Sequence, residues 1–535
     1  MSFSSKANII RKKLRKFTKH SIINEEIKRL SQPVTESHHE AQKMPWLSFL
    51  LIEWLYQVEE FPNAVNATSK DVYDILNSMY QLQGDASNFK DAVSLNLALR
   101  RMLLGQLWCQ LNPLLHQFTI IRLYSLTIIK GKTPYFERTF KKFTGIELFD
   151  FFQFALWLSF ASLQQKGIIK FEQLVKDFYP KYSVEYIARV ITLISGGPNK
   201  MTQVMGSIAT ANISSERYFA QPKLLDVPFF RFENRLGSLH NSVSCKGLAE
   251  FVLNTFKVKD HEKFRMHFSR HFEEYVGVIL DESGFPYRNE KELEKIYKAN
   301  AKSGKVIDYL LEKDGSTVFV DAKAIEPPEK VMVTDDAEII RQRLKKSFTK
   351  GIEQSFECAN ILVECEEVEL AEYQNRFVIV VTHQDFYLSN GLTVQAYIAK
   401  DFFLELAHKY GDHIPIENVH FCAVEDFEGI MFICKEHGIE LSDFLLYCTE
   451  QDSDAITKKF NTRQHLQSFL QNKDIEKSSP IGSDYLSQRK DELFDALTDT
   501  LKTNNEYWKA NGATAIPEYL EKYYKFCKLM NLLTL

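Results

Sequence analysis

No Cys-x-x-Cys pair occurs in this chain of 535 residues, and its eight cysteines are scattered from Cys109 to Cys527. That argues against a zinc ribbon and a disulfide framework, and for a reducing compartment. Neither a G-x-x-x-x-G-K-[ST] loop nor a G-x-S-x-G elbow is present, so the signatures of a P-loop motor and of an α/β-hydrolase are both missing. There is no H-E-x-x-H. A strong charge of one sign is also lacking: the net charge is −4 and the pI about 6.4. Any footprint for nucleic acid must therefore be local. No N-terminal apolar segment resembles a signal peptide. The most apolar stretch, LFDFFQFALWLSFASL from Leu148 to Leu163, is interrupted by Asp150 and Gln153 and is short for a bilayer span. It reads as a buried helix, and a cytoplasmic location is expected. No internal repeat and no low-complexity tract is evident.

What the chain does have is an ordinary soluble composition, 45% apolar and 25% charged, with 41 phenylalanines that suggest well-filled helical cores. The first nineteen residues carry Lys6, Arg11, Lys12, Lys13, Arg15, Lys16 and Lys19 without an acid. Ile9, Ile10, Leu14 and Phe17 give them an apolar side, so a surface helix packed on the body is expected ahead of a nucleic-acid arm or a transit peptide. Helical character runs from about Met44 to Thr210, and SGGPN (Ser195–Asn199) is a breaker. The stretch VPFFRFEN (Val227–Asn234) reads as a strand-bearing connector.

The most informative segment is VIDYLLEKDGSTVFVDAKA, Val306–Ala324. Two apolar runs flank a Lys-Asp-Gly-Ser-Thr turn, which predicts a β-hairpin. Side chains alternate along a strand, so Phe319, Asp321 and Lys323 share one face while Val318, Val320 and Ala322 share the other. An acid and a lysine thus point the same way, with a second acid, Asp308, on the neighbouring strand. Two carboxylates beside an ammonium suit a divalent metal and an attacking water, as phosphodiester hydrolysis requires. Upstream, Phe264, Phe268, Phe272, Tyr275, Val276 and Ile279 form one stripe of an amphipathic helix, with Glu273 at its edge. Downstream, Arg341–Ala359 reads as a basic helix and FVIVVT (Phe377–Thr382) as a buried strand.

In this order, helix, hairpin, helix, strand, the segment Glu262–Val424 resembles the PD-(D/E)XK nuclease superfamily, the restriction-endonuclease-like fold. The resemblance implies roles for particular residues. Glu273 matches the helix glutamate, with Glu274 as its rival; Asp308 matches the principal strand acid; Asp321 and Lys323 match the D/E and K of the motif. Gln354 is similar to a glutamine that some branches carry on the following helix. Ile307 stands where many members have proline. Mg²⁺ or Mn²⁺ is the implied cofactor, held by Asp308, Asp321 and Glu273.

Beyond Val381 a helix near Phe402–Tyr410, a strand Val419–Val424 and a helix near Phe427–His437 are expected; the SSPIGS stretch (Ser478–Ser483) reads as a linker. The expected architecture is multidomain and mostly α, with a central α/β domain of mixed sheet flanked by helices. Its parts are a basic arm or helix (1–40), a helical domain (41–225), the nuclease domain with its lead-in (226–430) and a helical C-terminal domain (431–535). Arg341, Arg343, Lys345, Lys346 and Lys350 are candidate phosphate contacts, or else a solvated helix face. His267 and His271, four apart with Glu274 nearly in line, have zinc-like spacing but no third ligand in evidence; His383 reads as a loop residue. The expectation is a metal-dependent endonuclease acting on DNA in preference to RNA. Bacterial defence against phage or plasmids is implied by the resemblance, with restraint by the helical domains or a partner. The alternatives are a nuclease of structured RNA such as tRNA and a non-catalytic nucleic-acid-binding or sensor protein.

Overall fold

A computed structural model describes residues 2–33, 43–87, 92–110, 115–129, 134–206, 214–344, 348–366, 369–475 and 483–532. The protein is mostly helical with two small mixed sheets. The chain forms two compact units. One comprises Met1–Asn88, Gly105–Phe264 and Arg489–Leu535; the other comprises Phe89–Leu104 and Arg265–Gln488. The SSPIGS stretch falls outside the described residues except for Ser483.

In the first unit the basic N-terminal segment is a helix, Phe3–Leu14, that buries Phe3, Ala7, Ile10, Arg11 and Leu14. Ile9, placed by the sequence pattern on the apolar side, is 45% exposed. The apolar stretch forms the helix Leu148–Gln164, which is buried throughout Phe151–Ser159. Among the described residues no single helix is long and apolar enough to cross a membrane. Four short strands, β1 (Ile168–Lys170), β2 (Ser195–Gly196), β3 (Phe229–Phe232) and β4 (Arg235–Gly237), form a sheet in the order β1-β4-β3-β2. The VPFFRFEN stretch supplies β3 and pairs within this sheet, not with the larger one.

The second unit is built on five strands: β5 (Tyr287–Asn289), β6 (Tyr309–Lys313), β7 (Ser316–Lys323), β8 (Arg376–Thr382) and β9 (Val419–Ala423), in that spatial order. β5, β6 and β7 pair antiparallel, β7, β8 and β9 parallel. The β6–β7 hairpin closes on Asp314 and Gly315, both at positive φ (48° and 73°). A two-residue turn of that handedness matches the twist of its strands, which is why Asp-Gly fixes the register here. Parallel β7 and β8 need a crossover, and the helix Thr349–Cys365 lies within it. The register lines up Phe319, Val378 and Val419 in one row, and Asp321, Val380 and Phe421 in the next. Leu310, Phe319, Val378, Val380, Val419 and Phe421 share one hydrophobic core with Ile352 and Phe356 of that helix. Phe348 stacks on Phe421, ring centroids 4.1 Å apart.

The helix His261–Ser283 is anchored by Tyr309, whose hydroxyl donates to Glu273 O at 2.8 Å. A Cβ at Gly277 would stand 2.5 Å from that hydroxyl, so this close approach needs glycine. One expectation is corrected. The pattern from Arg341 to Ala359 is not one helix but the end of Ala337–Leu344 and the start of Thr349–Cys365. Leu344 and Phe348 are both in the core; four apart, they mimic an unbroken helical stripe.

The loop after β8 carries a dense polar cluster. Asp385 accepts from Tyr387 N at 2.7 Å and from Asn461 Nδ2 at 2.6 Å, while Arg463 Nε donates to Asp426 at 2.7 Å. Burial, reinforced by Asp426, pushes the Asp385 carboxyl up to about 7 from an ordinary 3.8. A carboxyl held up in the folded state favours folding fully below its ordinary pKa, and that contribution is lost as pH rises through the folded value. Asp385→Asn is therefore expected to flatten the decline in stability between pH 3.8 and about 7. Urea unfolding at stepped pH checks this; a variant with the wild-type slope contradicts it.

Candidate active site

Asp321 sits where the rows of the sheet call for an apolar side chain. Its neighbours across β8 and β9 are Val380 and Phe421, and its own side chain is 0% exposed. Lys323 Nζ stands 2.6 Å from Asp321 Oδ2. Neither oxygen of Asp321 receives an aligned hydrogen bond, so the lysine contact is an ion pair and Oδ1 is left with nothing. A Cβ at Gly351, in the first turn of the crossover helix, would collide with Asp321 Oδ2. That glycine, invisible as a site residue in the sequence, makes room for the carboxylate.

Asp308 lies one residue before β6. The hairpin register ends at Tyr309↔Val320, and continuing it by one residue sets Asp308 opposite Asp321. Instead of a backbone ladder bond, Asp308 Oδ2 accepts from Ala322 N at 2.6 Å. Its backbone carbonyl accepts from Glu290 N at 3.0 Å, the first residue of the helix Glu290–Ala299. Glu273 enters from the helix anchored by Tyr309.

The electrostatics couple these groups. Burial raises Asp321, partly offset by Lys323 and Lys350. Burial and then the charge of Asp321 lift Asp308 well above the usual range, with Glu273 adding to it. Burial, then Glu290, raises Glu273, against the pull of Lys323. The structure thus brings Asp308, Asp321, Lys323 and Glu273 together. Glu274 instead forms an ion pair with Arg270 on its own helix, 3.3 Å apart. Gln354, one helical turn beyond Gly351, donates from Nε2 to Val306 O at 3.1 Å and so steadies the approach to Asp308; its Oε1 is buried without a hydrogen-bond partner. Glu290 was not singled out by the sequence. A capping box, Asn289 with Glu292, marks that helix start, but nothing in the pattern ties it to Asp308.

The candidate phosphate contacts part company. Arg341 donates to Ile398 O at 3.1 Å and pairs with Glu338, so it is committed within the fold. Arg343 and Lys350 are exposed, and Lys350 acts electrostatically on Asp321. Lys345 and Lys346 lie outside the described residues. His271 is buried. His383 follows β8 and bonds Glu326 Oε1 at 3.0 Å, its ring edge-on to Phe268 and Phe272.

Among the described residues no three His, Cys, Asp or Glu side chains are gathered at metal-holding spacing. The acids are neighbours, not a closed ligand shell. Their chemistry nevertheless fits a hard divalent cation: oxygen donors, a buried Oδ1 without a hydrogen bond, and carboxyls raised by burial and by neighbouring acids. Comparison of the chain with protein-family models, with curated proteins and with solved structures finds no match in any of the three.

A carboxylate buried without hydrogen bonds costs stability. Asp321→Asn is expected to stabilise the protein by about 0.5–2 kcal/mol, the range of relieved functional strain. Thermal or urea unfolding reads this. A loss of about 3–5 kcal/mol would mark Asp321–Lys323 as a structural salt bridge instead.

Proposed function

We propose that this chain is a divalent-metal-dependent endonuclease of the PD-(D/E)XK type, hydrolysing phosphodiester bonds in DNA in preference to RNA, with bacterial defence against phage or plasmids as its setting. One observation carries the reading: a carboxylate buried in the sheet without an aligned hydrogen bond, in ion pair with the lysine two residues on and across from a second acid. A fold keeps such a group against its stability where chemistry needs it.

Asp308, Asp321 and Glu273 are the side chains that would hold Mg²⁺ or Mn²⁺. When bound, the cation supplies Lewis-acid polarisation of the phosphate and a lowered pKa for water. The chain's own residues do the rest. Lys323, at 18% side-chain exposure, offers a fixed ammonium to the attacking water or to charge developing on the phosphate. Gln354 keeps the segment before Asp308 in place through Val306 O. Lys350 and Arg343, both exposed, are available to phosphates of the bound strand.

The direct test is cleavage of plasmid DNA, single-stranded DNA and total tRNA by wild type, Asp321→Ala and Lys323→Ala, each with Mg²⁺, Mn²⁺ and EDTA. Metal-dependent cleavage by wild type, lowered by about 10²-fold or more in both variants, is expected, with plasmid the best substrate. Preference for tRNA would move the substrate class to structured RNA. Equal inertness of all three proteins, with nucleic acid still bound, would favour the non-catalytic reading.

A further inference from the structure

The helix Ala92–Gln106 lies in sequence between two stretches of the first unit, yet its residues as far as Leu104 belong to the second. Leu97 is part of the five-stranded unit's core. Arg100 and Arg101 are 1% and 2% exposed, and two adjacent buried guanidiniums demand partners. Arg100 donates from Nε to Phe386 O and from Nη1 to Val331 O, each at 2.9 Å. Arg101 donates to Val333 O at 3.3 Å and stands 3.2 Å from Asp335 Oδ2. Asn96 Nδ2 donates to Tyr397 Oη at 2.8 Å.

The partners of the two arginines lie in two segments, 331–335 after β7 and 386 after β8. These leave the carboxyl edge of the parallel strands, where ligands of α/β sheets gather and where Lys323 ends β7. The same segments are already tied by His383 to Glu326 at 3.0 Å and by Gln384 N to Ile325 O at 3.4 Å. Phe386 packs on Phe348, ring centroids 4.9 Å apart. Phe348 immediately precedes the helix whose Gly351 abuts Asp321. A continuous line of contacts therefore runs from Arg100 through Phe386 and Phe348 to the buried carboxylate. Arg100 Nη2 is buried with no hydrogen-bond partner. Apolar side chains would fill this place at less cost if filling were all it required.

We propose that Arg100 and Arg101 are positioning residues for the Asp321 site: they hold the two edge segments beside it and, through Phe386 and Phe348, the start of the crossover helix. This rests on the nuclease reading above.

The test uses the full chain and compares wild type with Asp335→Asn, Arg100→Met and Arg101→Lys by amide hydrogen exchange. Asp335→Asn removes a partner at the edge of the contact and spares the fold. Exchange about tenfold faster is expected in 324–335, 348–354 and 383–388 for Asp335→Asn and Arg100→Met, with β1–β4 unchanged. Arg101→Lys, which keeps the ion pair with Asp335, should retain the wild-type pattern. In cleavage assays kcat should fall about tenfold or more with KM unchanged. Unchanged exchange in those segments, or a rise spread over the whole chain, would overturn the proposal. The nuclease reading fails separately, on a wild type that cleaves nothing; the exchange pattern decides the positioning in either case.

Discussion

The burial of one carboxylate governs the five-stranded unit. Asp321 occupies a row of the sheet otherwise held by Val380 and Phe421, with a single ammonium beside it and no aligned hydrogen bond. Every neighbouring choice accommodates that placement. Gly351 withholds a Cβ from the carboxylate. Lys323 follows two residues on, where strand alternation returns it to the same face. Asp308 meets the backbone of Ala322 through its side chain instead of extending the ladder.

The charges around Asp321 do not balance. Burial is the main reason that Asp321, Asp308 and Glu273 are all raised; Asp321 and Glu273 lift Asp308 further, Glu290 lifts Glu273 further, and Lys323 offsets only part of it. Buried carboxyls raised together beside one lysine are the kind of place that a bound cation would relieve. The elements that deliver the acids differ in kind: a tight hairpin gives Asp308 and Asp321, and a helix held by Tyr309 gives Glu273. The crossover helix gives Gly351 and Gln354. Asp308, one residue outside β6, is tied to Ala322 and Glu290, and the other site residues are carried on strands and helices, which hold geometry closely.

Much of this was legible in the sequence, for local reasons. Asp-Gly between alternating apolar runs specifies its hairpin almost alone, and the stripe from Phe264 to Ile279 specifies its helix. The strands at Phe377–Thr382 and Val419–Ala423 stand out as short apolar runs. What was hidden is what depends on distant contacts. The break before Thr349 is masked by two core residues four apart. Glu290 reaches the site through a backbone hydrogen bond, to which sequence pattern is blind. The pair Arg100–Arg101 looks like any charged patch of a helix, because only the fold reveals that carbonyls from residues more than two hundred positions away enclose it. Composition likewise carries no sign that 92–104 packs with 265–488.

The most direct measurement is calorimetric titration of Mn²⁺ into wild type and Asp308→Asn, repeated in two buffers of different ionisation enthalpy. Carboxyls raised by burial and by one another must give up protons to take a cation. Binding to wild type with a buffer-dependent enthalpy that reports proton release, lost in Asp308→Asn, is the expected result. Equal binding by both proteins, or none by wild type at millimolar Mn²⁺, would contradict a cation site at Asp308 and Asp321.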